Sequence, residues 1–120
     1  MKTRLDVYGV DASIRFSELL EHIKEHNYSR FPVFNEDLDT IVGMIHTKDV
    51  LPHINEGAEF NWASLVRTAF FVHEQKMIED LLQEFQLKRI HFAIVVDEFG
   101  GTSGIITLED ILEEIVGDIK

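Results

Sequence analysis

Thr107, Leu108, Glu109 and Asp110 put a hydroxyl and two carboxylates where an apolar, strand-like run gives way to a helical pattern. Two chemistries suit that spacing. In a capping box, the Thr107 hydroxyl accepts from the Asp110 backbone N–H and an acidic side chain reaches back, worth about 1 kcal/mol with no ligand required. Alternatively, the N–H groups and hydroxyl at the helix start receive a phosphate, and a carboxylate one turn in accepts two hydrogen bonds from a ribose cis-diol. Glu109 and Asp110 repel a phosphate, so a nearby base or bound metal would have to compensate. Tyr28, Ser29 and Arg30 collect an aromatic face, a hydroxyl and a fixed positive charge in three consecutive residues. They read either as a helix-to-strand loop whose Arg30 pairs with the abundant carboxylates, or as a base-stacking ring beside a phosphate clamp.

Other reactive residues form no constellation. His22 and His26 stand four apart, a spacing that can bind a metal, but His-Ile-Lys-Glu-His has no third ligand and is not the HExxH pattern; they read as surface histidines. Gly100-Gly101 falls in a hairpin rather than between a strand and a helix, so a dinucleotide fingerprint is absent. Glu113, Glu114 and Asp118 read as the solvated face of the last helix. No base–nucleophile pair is legible, and an enzyme is not expected.

The elements that position these residues occur twice. Phe16, Leu19, Leu20 and Ile23 recur as Ile78, Leu81, Leu82 and Phe85, at helical spacing. After a one-residue shift, Arg30-Phe31-Pro32-Val33 recurs as His91-Phe92-Ala93-Ile94. Gly43 and Asp49 lie six positions apart, as do Gly104 and Asp110. Such units cannot bury their apolar faces alone, and the seam between two of them offers clefts for ligands. Each repeat reads strand–helix–strand–strand–helix, an α/β unit of three short strands and two helices. The expected elements are a brief strand through Leu5, Val7 and Tyr8, a helix over 15–26, strands at 31–34 and 41–45, and a helix over 47–54. In the second repeat they are strands at 69–72, 92–96 and around Ile105-Ile106, with helices over 75–87 and 108–116. Pro32 is placed near a strand start or edge, where a missing N–H costs little. The repeats span 1–56 and 66–120, with 57–65 as a connector anchored by Trp62. His46 stands where the second repeat has Thr107, so the first capping box is broken and Thr47 is expected to cap instead.

Composition narrows the function. With 22 acidic against 11 basic residues the net charge is −11, which argues against a nucleic-acid partner but not against one small anion in a local pocket. The absence of cysteine removes disulfides and thiolate chemistry. No run of 18 apolar residues occurs, and no signal-peptide pattern opens the chain.

The segments RFPVF, VGMIHTKDVL and HFAIVVDEFGGTSGIITLEDILEEIVGDI resemble a tandem pair of CBS domains, or Bateman module, of the CorC/HlyC magnesium and cobalt transport-associated family. The resemblance covers nearly the whole chain. It implies two CBS repeats packed by pseudo-two-fold symmetry, head-to-head homodimers, and AMP or ATP, with or without Mg2+, bound in the clefts as a regulatory ligand. It also implies a cytoplasmic fragment of a membrane-associated protein whose transport domain lies outside it. Carried over residue by residue, Asp110 holds the ribose hydroxyls, Thr107 a phosphate or ribose oxygen, and Ile105 contacts adenine, with Glu109 alongside. Tyr28, Ser29 and Arg30 complete that cleft, and Pro32 shapes its wall. A second, pseudo-symmetric site would use His46, Asp49 and His91, although His46 replaces the Thr or Ser usual there. Purely structural dimerisation and direct divalent-cation sensing are the alternatives.

Overall fold

The computed structural model describes residues 2–3 and 8–117. Its elements are β1 (Lys2–Thr3), β2 (Val10–Asp11), α1 (Phe16–His26), β3 (Arg30–Asn35), β4 (Asp37–His46), α2 (Thr47–Val50), β5 (Phe71–His73), α3 (Ile78–Lys88), β6 (Phe92–Val96), β7 (Thr102–Thr107) and α4 (Leu108–Gly117). Short 3-10 turns follow α2 at Leu51–His53 and occupy Trp62–Leu65. The expected α/β class and the two strand–helix–strand–strand–helix units are present. Leu5 and Val7 lie outside the described residues, and Tyr8 sits outside any strand.

Two compact units result, Tyr8–Ala69 and the segment from Phe70 onward joined by β1. In the first, β2 runs parallel to β3 and β3 antiparallel to β4. In the second, β5 runs parallel to β6, β6 antiparallel to β7, and β1 antiparallel to β7. Each sheet carries one added neighbour on its outer edge. Lys2 stands opposite Ile105 on β7, and Arg67 stands opposite Met44 on β4. Arg67 and Met44 exchange both backbone hydrogen bonds, at 2.8 and 2.9 Å.

Helical periodicity sets the cores. On α1, Phe16 and Leu19 are fully buried and Leu20 and Ile23 pack at the margin, joined by Val10, Phe31, Val33, Ile45, Val50 and Trp62. On α3, Leu81 and Phe85 face Val72, Ile90, Ala93, Val95, Ile106 and Ile111. Burial of each such side chain contributes roughly 1.5–3 kcal/mol. Trp62 is buried and donates its indole N–H to the Ile14 carbonyl at 2.8 Å, the anchoring role read for it.

Several local expectations shift. The helix begun at Thr47 tightens after Val50, because Pro52 has no N–H to continue the α-helical ladder. Helix α3 starts three residues later than read, since the Lys76 N–H bonds to the His73 carbonyl in a turn. Pro32 is the third residue of β3, near its start, but β3 is the central strand of its sheet and not an edge. Met44, its partner, spends both backbone groups on Arg67. Pro32 and Met44 are therefore a non-hydrogen-bonded pair, and the proline nitrogen faces away from β4. Along that edge β2 pairs only with Val33 and Phe34, so no ladder bond is lost.

The registers also relocate the repeat's one-residue slip. Val33 opposes Gly43 and Val95 opposes Gly104; Arg30 opposes His46 and Phe92 opposes Thr107. The structural counterpart of Arg30 is thus Phe92, and that of Ser29 is His91. The irregularity falls at the hairpin ends, after Val33 and after Val95, not ahead of the strand.

Candidate functional site

The β7–α4 junction forms because the apolar run 92–96 pairs with β7 and leaves Thr107 as the last strand residue. Thr107 and Asp110 then close a complete capping box. The Asp110 N–H donates to the Thr107 hydroxyl at 3.1 Å, and the Thr107 N–H donates to the Asp110 carboxylate at 3.0 Å. The Leu108 N–H is taken by the His91 carbonyl at 3.0 Å. As an acceptor in the cap, the Thr107 hydroxyl retains its own proton to donate outward. Ile105 is buried two residues upstream, Glu109 is exposed, and Thr107 and Asp110 are half-buried. His91 is exposed.

The β4–α2 junction is built on the same plan with different chemistry. The Ser29 carbonyl receives the Thr47 N–H at 2.9 Å, mirroring His91 and Leu108. Thr47 does not cap. The His46 imidazole does, its Nδ1 accepting from the Lys48 N–H at 3.1 Å. An imidazole can accept there only when neutral, with its proton on Nε2. Burial holds His46 below its ordinary pKa, and the charges of Arg30, Arg67 and Lys48 add to this while Asp49 opposes it. Asp49 makes no reciprocal box. It is forked by Arg67, Nε to Oδ2 at 2.6 Å and Nη2 to Oδ1 at 2.8 Å. The hydrogen bonds from Arg67 hold the Asp49 carboxyl below the usual carboxylate range, and the guanidinium is shifted up in return.

Tyr28 is half-buried against the first core. Its ring stacks on Tyr8 at 5.5 Å, and Tyr8 in turn stacks on His26 at 4.2 Å. Ser29 is exposed, Arg30 half-buried at the start of β3, and Pro32 fully buried. Among the described residues Arg30 has no carboxylate partner, contrary to the ion-paired reading. His22 and His26 lie at the surface but are not fully exposed. Both are half-buried, with ring centroids 4.5 Å apart, and His22 also packs edge-on to Phe31. Among the described residues no group of three or more metal-ligating side chains occurs.

The structure therefore brings Tyr28, Ser29, Arg30, His46 and Asp49 together in one unit and Ile105, Thr107, Glu109, Asp110 and His91 in the other. Sequence reading missed Arg67, which pairs with Asp49 from 18 residues away and carries no local signal. It also missed Tyr8, whose stacking depends on where α1 ends.

A family model for the CBS domain matches residues 1–56 and again 63–117. The CBS domain of a bacterial CNNM/CorC family Mg2+ transporter, solved in complex with ATP, is 41% identical with a TM-score of 0.91, covering 98% of this chain and 84% of that one. This chain is a CBS-domain pair of the CNNM/CorC family. The CBS pair is 50% identical over 104 residues to the magnesium and cobalt efflux protein CorC of Salmonella typhimurium, covering 86% of this chain and 36% of that protein. Against CorC of Vibrio cholerae it is 43% identical over 121 residues, the whole chain and 42% of the relative. The chain thus spans about two fifths or less of these curated relatives. A CBS-domain pair with bound AMP from Klebsiella pneumoniae is 28% identical, with a TM-score of 0.86, covering 98% of this chain and 94% of that one. Among the described residues no helix is long and apolar enough to cross a membrane.

Proposed function

We propose that this CBS pair binds an adenosine nucleotide, AMP or ATP with or without Mg2+, and so regulates a magnesium or cobalt transport domain of the same parent protein. The observation that carries the reading is the likeness to an ATP-bound CBS domain at 41% identity, with Thr107 and Asp110 paired at a helix start and Ser29-Arg30 presented at a strand start. Asp110 takes the ribose hydroxyls, Thr107 donates to a ribose or phosphate oxygen, and Ile105 lies against the adenine, with Glu109 beside it. Tyr28, Ser29, Arg30 and Pro32 are the candidate contacts of the other unit, Ser29 or Arg30 for a phosphate. The residues His46, Asp49 and His91 make a weaker second set, because Arg67 already occupies the Asp49 carboxylate.

In this reading the CBS pair works as a cytoplasmic homodimer attached to a membrane domain. A nucleotide regulates only through differential affinity for two arrangements of the module, since equal affinity shifts nothing. Calorimetric titration with AMP, ADP and ATP, each with and without Mg2+, tests it. Saturable binding that Asp110→Asn weakens by at least about tenfold, one tenfold being about 1.4 kcal/mol, supports the reading.

The closed Thr107–Asp110 box favours a second reading, a purely structural dimerisation module in which those side chains only cap α4. No heat with any nucleotide, and a small stability loss as the sole effect of Asp110→Asn, would establish that account instead.

A further inference from the structure

Two half-buried imidazoles close on one residue ahead of β2. The His22 Nε2–H donates to the Tyr8 carbonyl at 3.3 Å, and the Tyr8 ring lies on His26 with centroids 4.2 Å apart. His22 and His26 stand one turn apart on α1, their own centroids separated by 4.5 Å. Tyr8 is thus held by its backbone and by its ring, each time through the side chain that takes up a proton in mild acid. The strand that follows adds only Val10 and Asp11 to the sheet edge. The hold on Tyr8 is what extends the order of this segment ahead of them.

The second repeat fills the same helix positions with an ion pair. Phe16 corresponds to Ile78, so His22 and His26 correspond to Glu84 and Lys88, whose Oε1 and Nζ lie 2.8 Å apart. Opposite charges one turn apart attract, and like charges repel. The histidine pair is neutral at neutral pH and becomes mutually repulsive once both rings are protonated. Burial opposes a charge on His22, and a charge on His26 opposes it further, while the Tyr8 carbonyl and Glu25 favour it. The Glu25 side chain is 75% exposed, so solvent screens it. The other groups around the cluster are the Phe31 ring from β3, edge-on to His22, and the Tyr28 ring behind Tyr8. Phe31 does not titrate, and phenols do not ionise in acid. A charged His22 is therefore driven from Phe31 and from a charged His26 toward water, and the Tyr8 carbonyl loses its donor.

We infer that Tyr8, His22 and His26 form a proton-operated clasp, which holds the chain entering β2 against α1 while the imidazoles are neutral and releases it when both are charged. None of the three belongs to the residue sets of the proposed nucleotide reading, and the clasp stands or falls apart from it. Because the folded His22 pKa lies below its ordinary 6.5, the clasp is closed above that pH and opens as pH falls through the lower folded value. The two rings titrate as a coupled pair, and the second proton is the one that opens it. The Glu84–Lys88 pair keeps its attraction through the same range, so the switch is confined to the first repeat.

The test is an NMR titration of the wild type, His22→Gln and His26→Phe between about pH 7.5 and about pH 5, the range in which histidine changes charge. His22→Gln keeps an N–H donor for the Tyr8 carbonyl and does not titrate. His26→Phe keeps a ring for Tyr8 to stack on and removes the second charge. In the wild type the Tyr8 ring signals are expected to move with the His22 titration, and the Gly9 amide order parameter to fall from about 0.85 to below about 0.6. His22→Gln should keep Gly9 rigid throughout. His26→Phe should raise the His22 midpoint by at least about half a pH unit, about threefold in proton affinity. The Trp62 indole signal, set by its bond to Ile14, marks the core as intact. A Tyr8 ring and Gly9 amide that stay still while His22 titrates overturn the inference, as does loosening of His22→Gln to the wild-type extent. So does a His22 midpoint unmoved in His26→Phe, or loss of the wild-type Trp62 signal at the pH where Tyr8 moves, which is acid unfolding of the whole unit.

Discussion

Asp49 and Arg67 meet in a two-point ion pair across 18 residues, and the same arginine exchanges both backbone hydrogen bonds with Met44. The pair fastens the segment leaving the first repeat to the start of α2. Its counterpart in the second repeat, Asp110, instead turns back on Thr107. Two equivalent sequence positions thus hold different partners.

Replacing Arg67 by Met removes the fork. The pair is partly exposed, with 48% of the Arg67 side chain accessible, so the loss is set at about 0.5–1 kcal/mol. The Asp49 pKa is depressed in the folded state, so its contribution is present above the unfolded value near 3.8 and lost as pH falls through the lower folded one. Urea unfolding of wild type and Arg67→Met should therefore differ near pH 7 and converge at strongly acid pH. A constant difference across that range would show that Arg67 stabilises by packing alone.

His46 gives a second pH signature in a different window. Its folded pKa lies below the ordinary 6.5, chiefly through burial, with Arg30, Arg67 and Lys48 adding and Asp49 opposing. The unfolded chain binds the proton more tightly, so the contribution is complete above pH 6.5 and fades as pH falls through the folded value. His22, also depressed by burial, adds a parallel contribution. His46→Asn keeps a cap and removes the titration, and should flatten part of the stability slope below that pH. An unchanged slope would place the whole effect on His22.

Gly43 lies where the outgoing chain crosses β4. A Cβ there would stand 2.4 Å from Val66 Cγ1 and 2.5 Å from the Arg67 carbonyl oxygen. The oxygen belongs to a bridged backbone and cannot swing aside. Gly43→Ala is expected to destabilise by about 2–3 kcal/mol, as overpacking does. Thermal unfolding checks this; a loss under about 0.5 kcal/mol, typical of unconstrained surface changes, would mean that the bridge gives way freely.

Thr107→Ala removes one half of the α4 cap and should cost about 1 kcal/mol, whereas Thr107→Ser should retain most of it. Chemical denaturation of both variants without ligand measures the cap. Nucleotide titration of both variants then tests the hydroxyl's ligand contact, since Thr107→Ser keeps the O–H and Thr107→Ala lacks it.

The sequence by itself determined the duplication, the α/β class, the family and the stripes that became cores. Those features are written in local periodicity: Phe16, Leu19, Phe85 and the run 92–96 need only a 3.6-residue or two-residue repeat to be legible. It also determined the Thr107–Asp110 box, because both partners lie within one turn. Only the tertiary structure decided that Pro32 could sit inside a central strand, since the Arg67–Met44 bridge fixes which way its nitrogen faces. Register alone decided that Arg30 corresponds to Phe92, since the slip falls where the hairpin can absorb an extra residue. Likewise His46 became the cap in place of Thr47, and Arg67 the partner of Asp49. These outcomes depend on backbone geometry at a crossing and on contacts between distant segments, and neither leaves a mark on nearest-neighbour pattern.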